Sequence, residues 1–505
     1  MSSLKDKLSR LTKSNEASKK PAVPEADKLA GDSSVRVGAG VLAEAGVSGA
    51  GSMVSTDTAG EAGQLGRSWD RLGAKAHHNE RGHFVIRRIV YPFDYRHGTY
   101  CLGDLIGEAE PLAALGASAS KTKGGRSGTS RRSSSVSADP APAVCARHDR
   151  LLFLDTETTG LGVGAGNVPF MVGIGFYEPD GFVVEQMFIR NPAEEAAMLH
   201  HLREKLAERD LLVSYNGKCF DWPIIKNRYI LNRQKDGAVD PVHYDFLYPS
   251  RSLWRNTLPS CRLSSVERER LGLSRIDDVP GSLAPALYFQ YLAEGDAALV
   301  EGVFEHNEKD VLTLACLAVH FTRLLGGQIP LSRMEPEELY RLALWLDKLG
   351  RPGEAEETMR ELLDRETDNA ADYWLSAASF YKRQGRFGAA VSLWERYIER
   401  KRRARVVTPE PYIELAMYYE HREKDLDKAL QYAELALERS IGRMAAVRKE
   451  GASAEEAAAI RKRIDRLRLK RETAAQPART AKAPATRKSR RTAVRTVEVW
   501  QQTLL

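Results

Sequence analysis

The stretch "LFLDTETTG" (152–160) decides how this chain is to be read. Leu152, Phe153 and Leu154 have the composition of a buried strand, and the run then ends in Asp155, Thr156 and Glu157. Residues i and i+2 of a strand share a face, so the two carboxylates leave the strand end side by side. Two like charges that close raise each other's pKa and weaken the fold. One reading places a divalent cation between them, and hard oxygen donors suit Mg²⁺ or Mn²⁺. The other is a polar strand end whose Thr and Asp cap the next loop. The glycine-rich "LGVGAGN" that follows lacks the GxxxxGK[ST] pattern, so it is not a nucleotide phosphate loop.

Outward from this strand the pattern alternates. "PFMVGIGFYE" and "FVVEQMFIR" read as two strands joined at the turn signal "PDG", a hairpin. "AEEAAMLHHLREKLAER" is an amphipathic helix, and "LLVSYNG" is another strand. "FDWPIIKNRYILNRQ" is helical after Pro223, and "SSVERERLG" is a short helix stopped by Gly272. "VEGVFEHNEKDVLTLACLAVHFTRLL" is a long helix. Antiparallel strands followed by strand–helix alternation predict an α/β domain over residues 147–328, a mixed sheet flanked by helices.

Two further motifs in this domain carry acids. "SYNGKCFDWP" places Asn216, Lys218 and Asp221 in a loop between an apolar strand and a helix. "HNEKD" places His306 and Asp310 four residues apart, on one helix face. A solvated helix face would explain "HNEKD" taken alone. Together, Asp155, Glu157, Asp221 and Asp310 come from three separate elements, and such a ring of carboxylates is the donor set of a two-metal phosphodiester-cleaving centre.

"FLDTETTG", "YNGKCFD" and "HNEKD" resemble the three exonuclease motifs of the DEDD branch of the ribonuclease H-like superfamily. "NVPFMVGIGFYE", "SYNGKCFDWPIIKNRY", "HYDFLYPSRSLWR", "CRLSSVERERLGLSR" and "DDVPGSLAPALYFQYL" together resemble the YprB-type ribonuclease H-like family of bacterial proteins. The resemblance covers roughly residues 147–325. It implies a 3′→5′ exonuclease using two Mg²⁺ or Mn²⁺ ions. Asp155 would bridge both ions, Glu157 and Asp310 would complete the first, and Asp221 would hold the second. It also implies a general base ahead of the last acid, either Tyr at Y-x3-D or His at H-x4-D. This chain has His306 at the tyrosine spacing, H-x3-D, where it is either a base, since histidine can take a proton near neutral pH, or a structural histidine paired with an Asp or set in the N-terminal turn. Beside the resemblance, Asn216 either bonds a terminal sugar or braces its loop, Lys218 either contacts a phosphate or is a surface lysine, and Asp245 is expected to support the site. Arg251, Arg255, Arg262 and Arg275 either line a strand-binding groove or serve as surface ion-pair partners, with Trp254 and Tyr288 either stacking on bases or packing in the core.

The flanks differ in composition. Residues 1–68 are rich in Ala, Gly, Ser and charge and are expected to be disordered. Residues 69–107 abruptly supply Trp, Phe and Tyr, a small ordered module expected to dock on the nuclease-like domain. Residues 108–146 read as a flexible linker. Residues 335–440 are wholly helical and resemble three tetratricopeptide-like helix pairs, with small residues at Ala355, Ala390 and Ala429. Residues 441–505 read as a charged helix and a disordered basic tail.

The chain has 505 residues, is 43% hydrophobic and 28% charged, and carries a net charge of +7. Seven Lys/Arg in 477–497 and five in 115–135, with no acids among them, exceed that net charge. The rest of the chain is therefore slightly acidic, and the basic charge marks flexible segments. No apolar run is long enough to span a membrane, and the first residues lack a secretory apolar core. Five scattered cysteines without a CxxC pair predict reduced thiols and a cytoplasmic location.

These readings predict a metal-dependent nuclease acting on DNA or RNA, with a protein partner docking through the helical repeats and no membrane. The alternative is a catalytically weak or inactive nucleic-acid-binding scaffold of the same fold.

Overall fold

The computed structural model of the chain describes residues 68–120, 146–160, 162, 166–238, 240–276, 278–404, 407–446 and 450–475. The expected disordered N-terminal stretch up to residue 67, the linker over 121–145 with Cys145, and the basic tail lie outside them. The described residues divide into two compact units, with the boundary at 361/362.

The first unit is built on a seven-stranded mixed sheet. Its strands are β1 (Ala74–Asn79), β2 (Gly82–Tyr91), β5 (Leu151–Thr158), β6 (Pro169–Glu178), β7 (Gly181–Phe188), β8 (Leu211–Ser214) and β9 (Val242–Asp245), while β3 (Arg96–His97) and β4 (Tyr100–Cys101) form a separate two-stranded ribbon. The sheet order is β1-β2-β7-β6-β5-β8-β9. β5 pairs antiparallel with β6 and parallel with β8, which in turn is parallel to β9. β5 therefore lies between the antiparallel and the parallel halves of the sheet. Its residues and those of β6 and β7 are almost all buried, because helices cover both faces.

The expected hairpin forms as β6 and β7. Residues 69–107 do not stand apart as a docking module. The β1–β2 hairpin extends the sheet, with β2 antiparallel to β7 from Val85↔Phe188 to Tyr91↔Phe182. The reason is that β7 would otherwise present an open row of backbone donors and acceptors, which an extended apolar segment satisfies. Trp69 is buried and its ring lies 5.2 Å from Phe188, so the ordered chain enters the core at once. The expected linker also begins later than residue 108, since Ala109 and Leu112 are buried and Ala113–Ser120 is helical.

The helices that position the site are α1 (Glu195–Glu208), α2 (Asp221–Leu231), α3 (Leu247–Trp254), α4 (Ala284–Glu294), α5 (Glu301–Leu325) and α6 (Pro336–Lys348). α5 is the long helix read from the sequence, and it packs across β5, β6 and β7. Tyr288 of α4 stacks on Phe170 at 4.2 Å between ring centres, and Trp254 of α3 packs against Phe321 at 5.6 Å. Both are buried, so neither is available to stack on a base.

The second unit is helical: α7 (Trp374–Arg383), α8 (Phe387–Arg400), α9 (Glu410–Tyr418), α10 (Leu426–Ala446) and α11 (Glu450–Ala475), each packed on the next. Ala355, Ala390 and Ala429 are buried. α6, the first helix of the expected repeat array, belongs to the first unit, where it packs on α3 and Glu338 accepts from Trp254 Nε1 at 2.8 Å. Among the described residues no helix is long and apolar enough to cross a membrane. Cys101, Cys219, Cys261 and Cys316 are free thiols.

Burial holds His320 neutral by pushing its pKa down to about 4, and Tyr100 bonds its Nδ1 at 2.8 Å. Unfolding restores a value near 6.5, so the unfolded chain binds the extra proton below that pH. Stability from this group is present above pH 6.5 and is lost as pH falls toward 4. Between pH 7.5 and 5 the wild-type chain should lose up to about 2 kcal/mol relative to His320→Leu. Urea unfolding of both proteins at each pH measures this gap, and a gap independent of pH would refute it.

Candidate active site

The sheet carries two of the four acids and the helices the other two. Asp155 lies opposite Gly173 of β6, and Glu157 lies opposite Met171. The pairing slips between Glu157 and Thr158, so the strand ends as the acids leave it. Gly173 has a steric purpose. A Cβ there would stand 2.0 Å from Asn307 Oδ1, so its absence lets α5 settle onto the sheet.

That approach fixes Asp155. Asn307 is fully buried and donates from Nδ2 to Asp155 Oδ2 at 3.0 Å. Its Oδ1 accepts from Gln186 Nε2 at 3.0 Å, and the same Gln186 amide donates to the Phe304 carbonyl at 2.7 Å. A chain of amides from β7 through α5 thus aims the Asp155 carboxylate.

Asp221 is the first residue of α2 and is buried, and its Oδ1 accepts from the Thr156 hydroxyl. The loop that delivers it is staked by Asp245 at the end of β9. Asp245 accepts from Asn216 N at 2.7 Å, Lys218 N at 3.0 Å and Leu247 N at 3.0 Å. Asn216 itself takes a left-handed conformation, φ +67°, and is exposed. Lys218 donates from Nζ to the His243 carbonyl at 2.9 Å, so in this state its charge serves the backbone.

α5 supplies His306 and Asp310 on one face. His306 Nδ1 lies 2.8 Å from Asp278 Oδ2 and 3.3 Å from Arg275 Nη1, and the shorter contact, to a carboxylate oxygen that accepts, places the proton on Nδ1. Nε2 then faces the acids, 3.6 Å from Asp310 Oδ2 and 4.0 Å from Glu157 Oε1. Arg275 occupies the other flank. It bonds Asp310 Oδ1 through Nη2, Asp278 Oδ2 through Nη1 at 3.0 Å, and Glu267 Oε2 through Nε at 2.8 Å. Neither a groove position nor a surface ion pair describes Arg275, which is bound into the acid cluster.

Burial is the first cause of the acids' shifted ionisation. It holds the Asp155 carboxyl well above its usual range, and repulsion from Asp310, Asp221 and Glu157 adds to it. Glu157 is raised in the same way, by burial and then by Asp310 and Asp221. Asp221 is pushed up to about 6 by burial, against the opposing Thr156 hydroxyl bond. Asp310 is raised because burial outweighs the favourable charges of Arg275 and His306. The four acids therefore share one electrostatic environment.

Among the described residues no group of three or more His, Cys, Asp or Glu side chains stands in coordinating geometry for a metal ion. One oxygen of each of three acids is engaged: Asp310 by Arg275, Asp221 by Thr156, and Asp155 by Asn307. The chemistry of the donor set is nevertheless that of a hard-cation site. It is all oxygen, buried and mutually repelling, and Asp155, Glu157, Asp221 and Asp310 are the residues that would hold a divalent ion.

Asn307, Thr156, Asp278 and Glu267 escaped the sequence reading. Asn307 had a signal, since it sits within "HNEKD" three residues before Asp310. Asp278 had none, because its partner His306 lies 28 residues away. Arg251, Arg255 and Arg262 are exposed.

Two substitutions test this construction. Gly173→Ala should cost roughly 1–3 kcal/mol in denaturant unfolding by driving a methyl into Asn307; a neutral effect would mean the helix does not sit as described. Asp155→Asn should raise the melting temperature in EDTA, since it removes one repelling charge at roughly 1–2 kcal/mol, and should shrink the stabilisation that Mn²⁺ confers on the wild type. A lower melting temperature in EDTA would show that the acids do not repel.

Residues 152–322 match the family model of the RNase_H superfamily. The chain is 34% identical over 373 residues to the Bacillus subtilis (strain 168) protein named "Uncharacterized protein YprB", covering 73% of this chain and 84% of that one. Among solved structures, the family B DNA polymerase from the hyperthermophilic archaeon Pyrobaculum calidifontis aligns at 16% identity with a TM-score of 0.29, covering 41% of this chain and 30% of the polymerase. The seven-stranded mixed sheet, the superfamily match and an identity sustained over most of both chains lead to one conclusion: this chain belongs to the YprB family of ribonuclease H-like proteins.

Proposed function

We propose that this protein is a divalent-metal-dependent nuclease that hydrolyses phosphodiester bonds of DNA or RNA as a 3′→5′ exonuclease. The observation that carries the reading is the convergence of Asp155, Glu157, Asp221 and Asp310 from β5, α2 and α5 into one mutually repelling set, two of them buried and two half-buried, with His306 Nε2 within 4.0 Å of Glu157 and Asp310. The fold of the family is that of nucleases, and the acids stand where its sheet meets the long helix.

In this reading Asp155, Glu157, Asp221 and Asp310 hold two Mg²⁺ or Mn²⁺ ions, the number the DEDD resemblance implies. When bound, such ions acidify a water and neutralise charge developing on the phosphate. The remaining work belongs to the chain. Asn307 and Gln186 keep Asp155 aimed, and Thr156 keeps Asp221 aimed. Asp278 holds the His306 proton on Nδ1, so Nε2 can accept a proton from the attacking water on the side of Glu157 and Asp310. Histidine at H-x3-D spacing thereby reaches the acids through its Asp278 brace. Asn216, exposed at the mouth of the Asp221 loop, is the residue proposed to contact the terminal nucleotide.

A second reading, a catalytically silent nucleic-acid binder, is favoured by one observation, the Arg275 guanidinium bound to Asp310. One assay separates the two. Purified wild type and Asp155→Ala are incubated with 5′-labelled single- and double-stranded DNA and RNA and Mn²⁺. The expected outcome is a ladder shortened from the 3′ end, at least about 100-fold slower in the variant, with circular substrate spared. Wild type no faster than Asp155→Ala on every substrate would eliminate catalysis and leave the binder.

A further inference from the structure

Arg275 is anchored independently of the acid it blocks. Its Nε donates to Glu267 Oε2 at 2.8 Å, and Nη2 is shared between Glu267 Oε1 and Asp310 Oδ1. Glu267 is itself buried and accepts from the Thr313 hydroxyl at 2.6 Å, from the turn of α5 that follows Asp310. Nη1 donates to Asp278 at 3.0 Å. If Asp310 turned away, the guanidinium would keep Glu267 and Asp278 as partners, and no buried charge would be stranded.

Asp310 is the opposite case. The guanidinium that bonds it is delocalised and is divided among Glu267, Asp278 and Asp310, so it compensates Asp310 incompletely. A compact divalent ion compensates it better. The two compete for the carboxylate. A guanidinium N–H draws on the Oδ1 lone-pair density that a hard cation would use, and two cations on one carboxylate repel at short range.

We propose that Arg275 is the resident counter-ion of Asp310 and competes with the divalent cation for that carboxylate, so that the Asp310-dependent ion binds more weakly than the other and binds by releasing Asp310 from Arg275. This rests on the metal-dependent reading above. It gives the centre two states, one closed on arginine and one loaded, and makes metal concentration the quantity that chooses between them.

The test is isothermal titration of the full chain with MnCl₂. Arg275→Gln should tighten the weaker Mn²⁺-binding step roughly 10–100-fold, the worth of a lost charge-assisted bond. In an Asp310→Asn background the same substitution should change nothing. If Arg275→Gln fails to fold because Glu267 loses its partner, the Glu267→Gln/Arg275→Gln double variant keeps that pocket neutral and hydrogen-bonded, with the same expected tightening. Unchanged or weakened Mn²⁺ binding in the folded variant, or two ions bound equally tightly by wild type, overturns the competition and leaves the nuclease reading standing. No uptake of Mn²⁺ by wild type or variant at millimolar concentration overturns the metal-dependent reading, and this inference with it.

Discussion

Four carboxylates brought together from β5, α2 and α5, Glu157 and Asp221 buried and Asp155 and Asp310 half-buried, cannot all be charged without help. The construction around them answers that constraint. β5 places Asp155 and Glu157 on one face, Gly173 gives up its side chain so that α5 can bring Asn307 to Asp155, and Thr156 turns its hydroxyl to Asp221. Asp245 spends its carboxylate on three backbone amides to hold the loop that carries Asp221. None of these devices removes the repulsion. They only ensure that it is concentrated in one place and aimed.

What removes it is positive charge, and Arg275 is the protein's own supply. Its attachment to Glu267 and Asp278 as well as Asp310 makes it part of the architecture rather than a surface ion pair, which would be worth little. Asp278 links the same network to His306, so the counter-ion and the proposed base share a partner. The arrangement explains how a strongly acidic centre persists in a folded chain.

The sheet that carries this centre is larger than the nuclease-like segment alone. The β1–β2 hairpin closes the β7 edge, and Trp69 packs among Phe188, Tyr291 and Phe304. Those aromatics continue through Tyr288 to Phe170, next to Met171, the cross-strand neighbour of Glu157. A segment distant in sequence thereby stiffens the strands on which the acids stand.

Much of this was legible in the residues. The i, i+2 acids of "LFLDTETTG", the loop acid of "SYNGKCFD" and the i, i+4 pair of "HNEKD" are local patterns, and strand and helix periodicity alone sets their faces. The apolar runs likewise announced β5 to β8 and the long α5. Local pattern left Trp254 and Tyr288 open between base stacking and core, and only packing decides for the core. Partnership between distant residues left no periodic trace. Arg275 with Asp310, Asp278 with His306, Gly173 with Asn307 and β2 with β7 each join segments tens of residues apart. The sequence by itself determined that acids leave β5 on one face and that His306 and Asp310 share a face of α5, since spacing along a strand or helix is a one-dimensional property. The tertiary structure alone decided which of them are charged, braced or blocked, since burial and Coulomb energy depend on distances that only the folded chain defines.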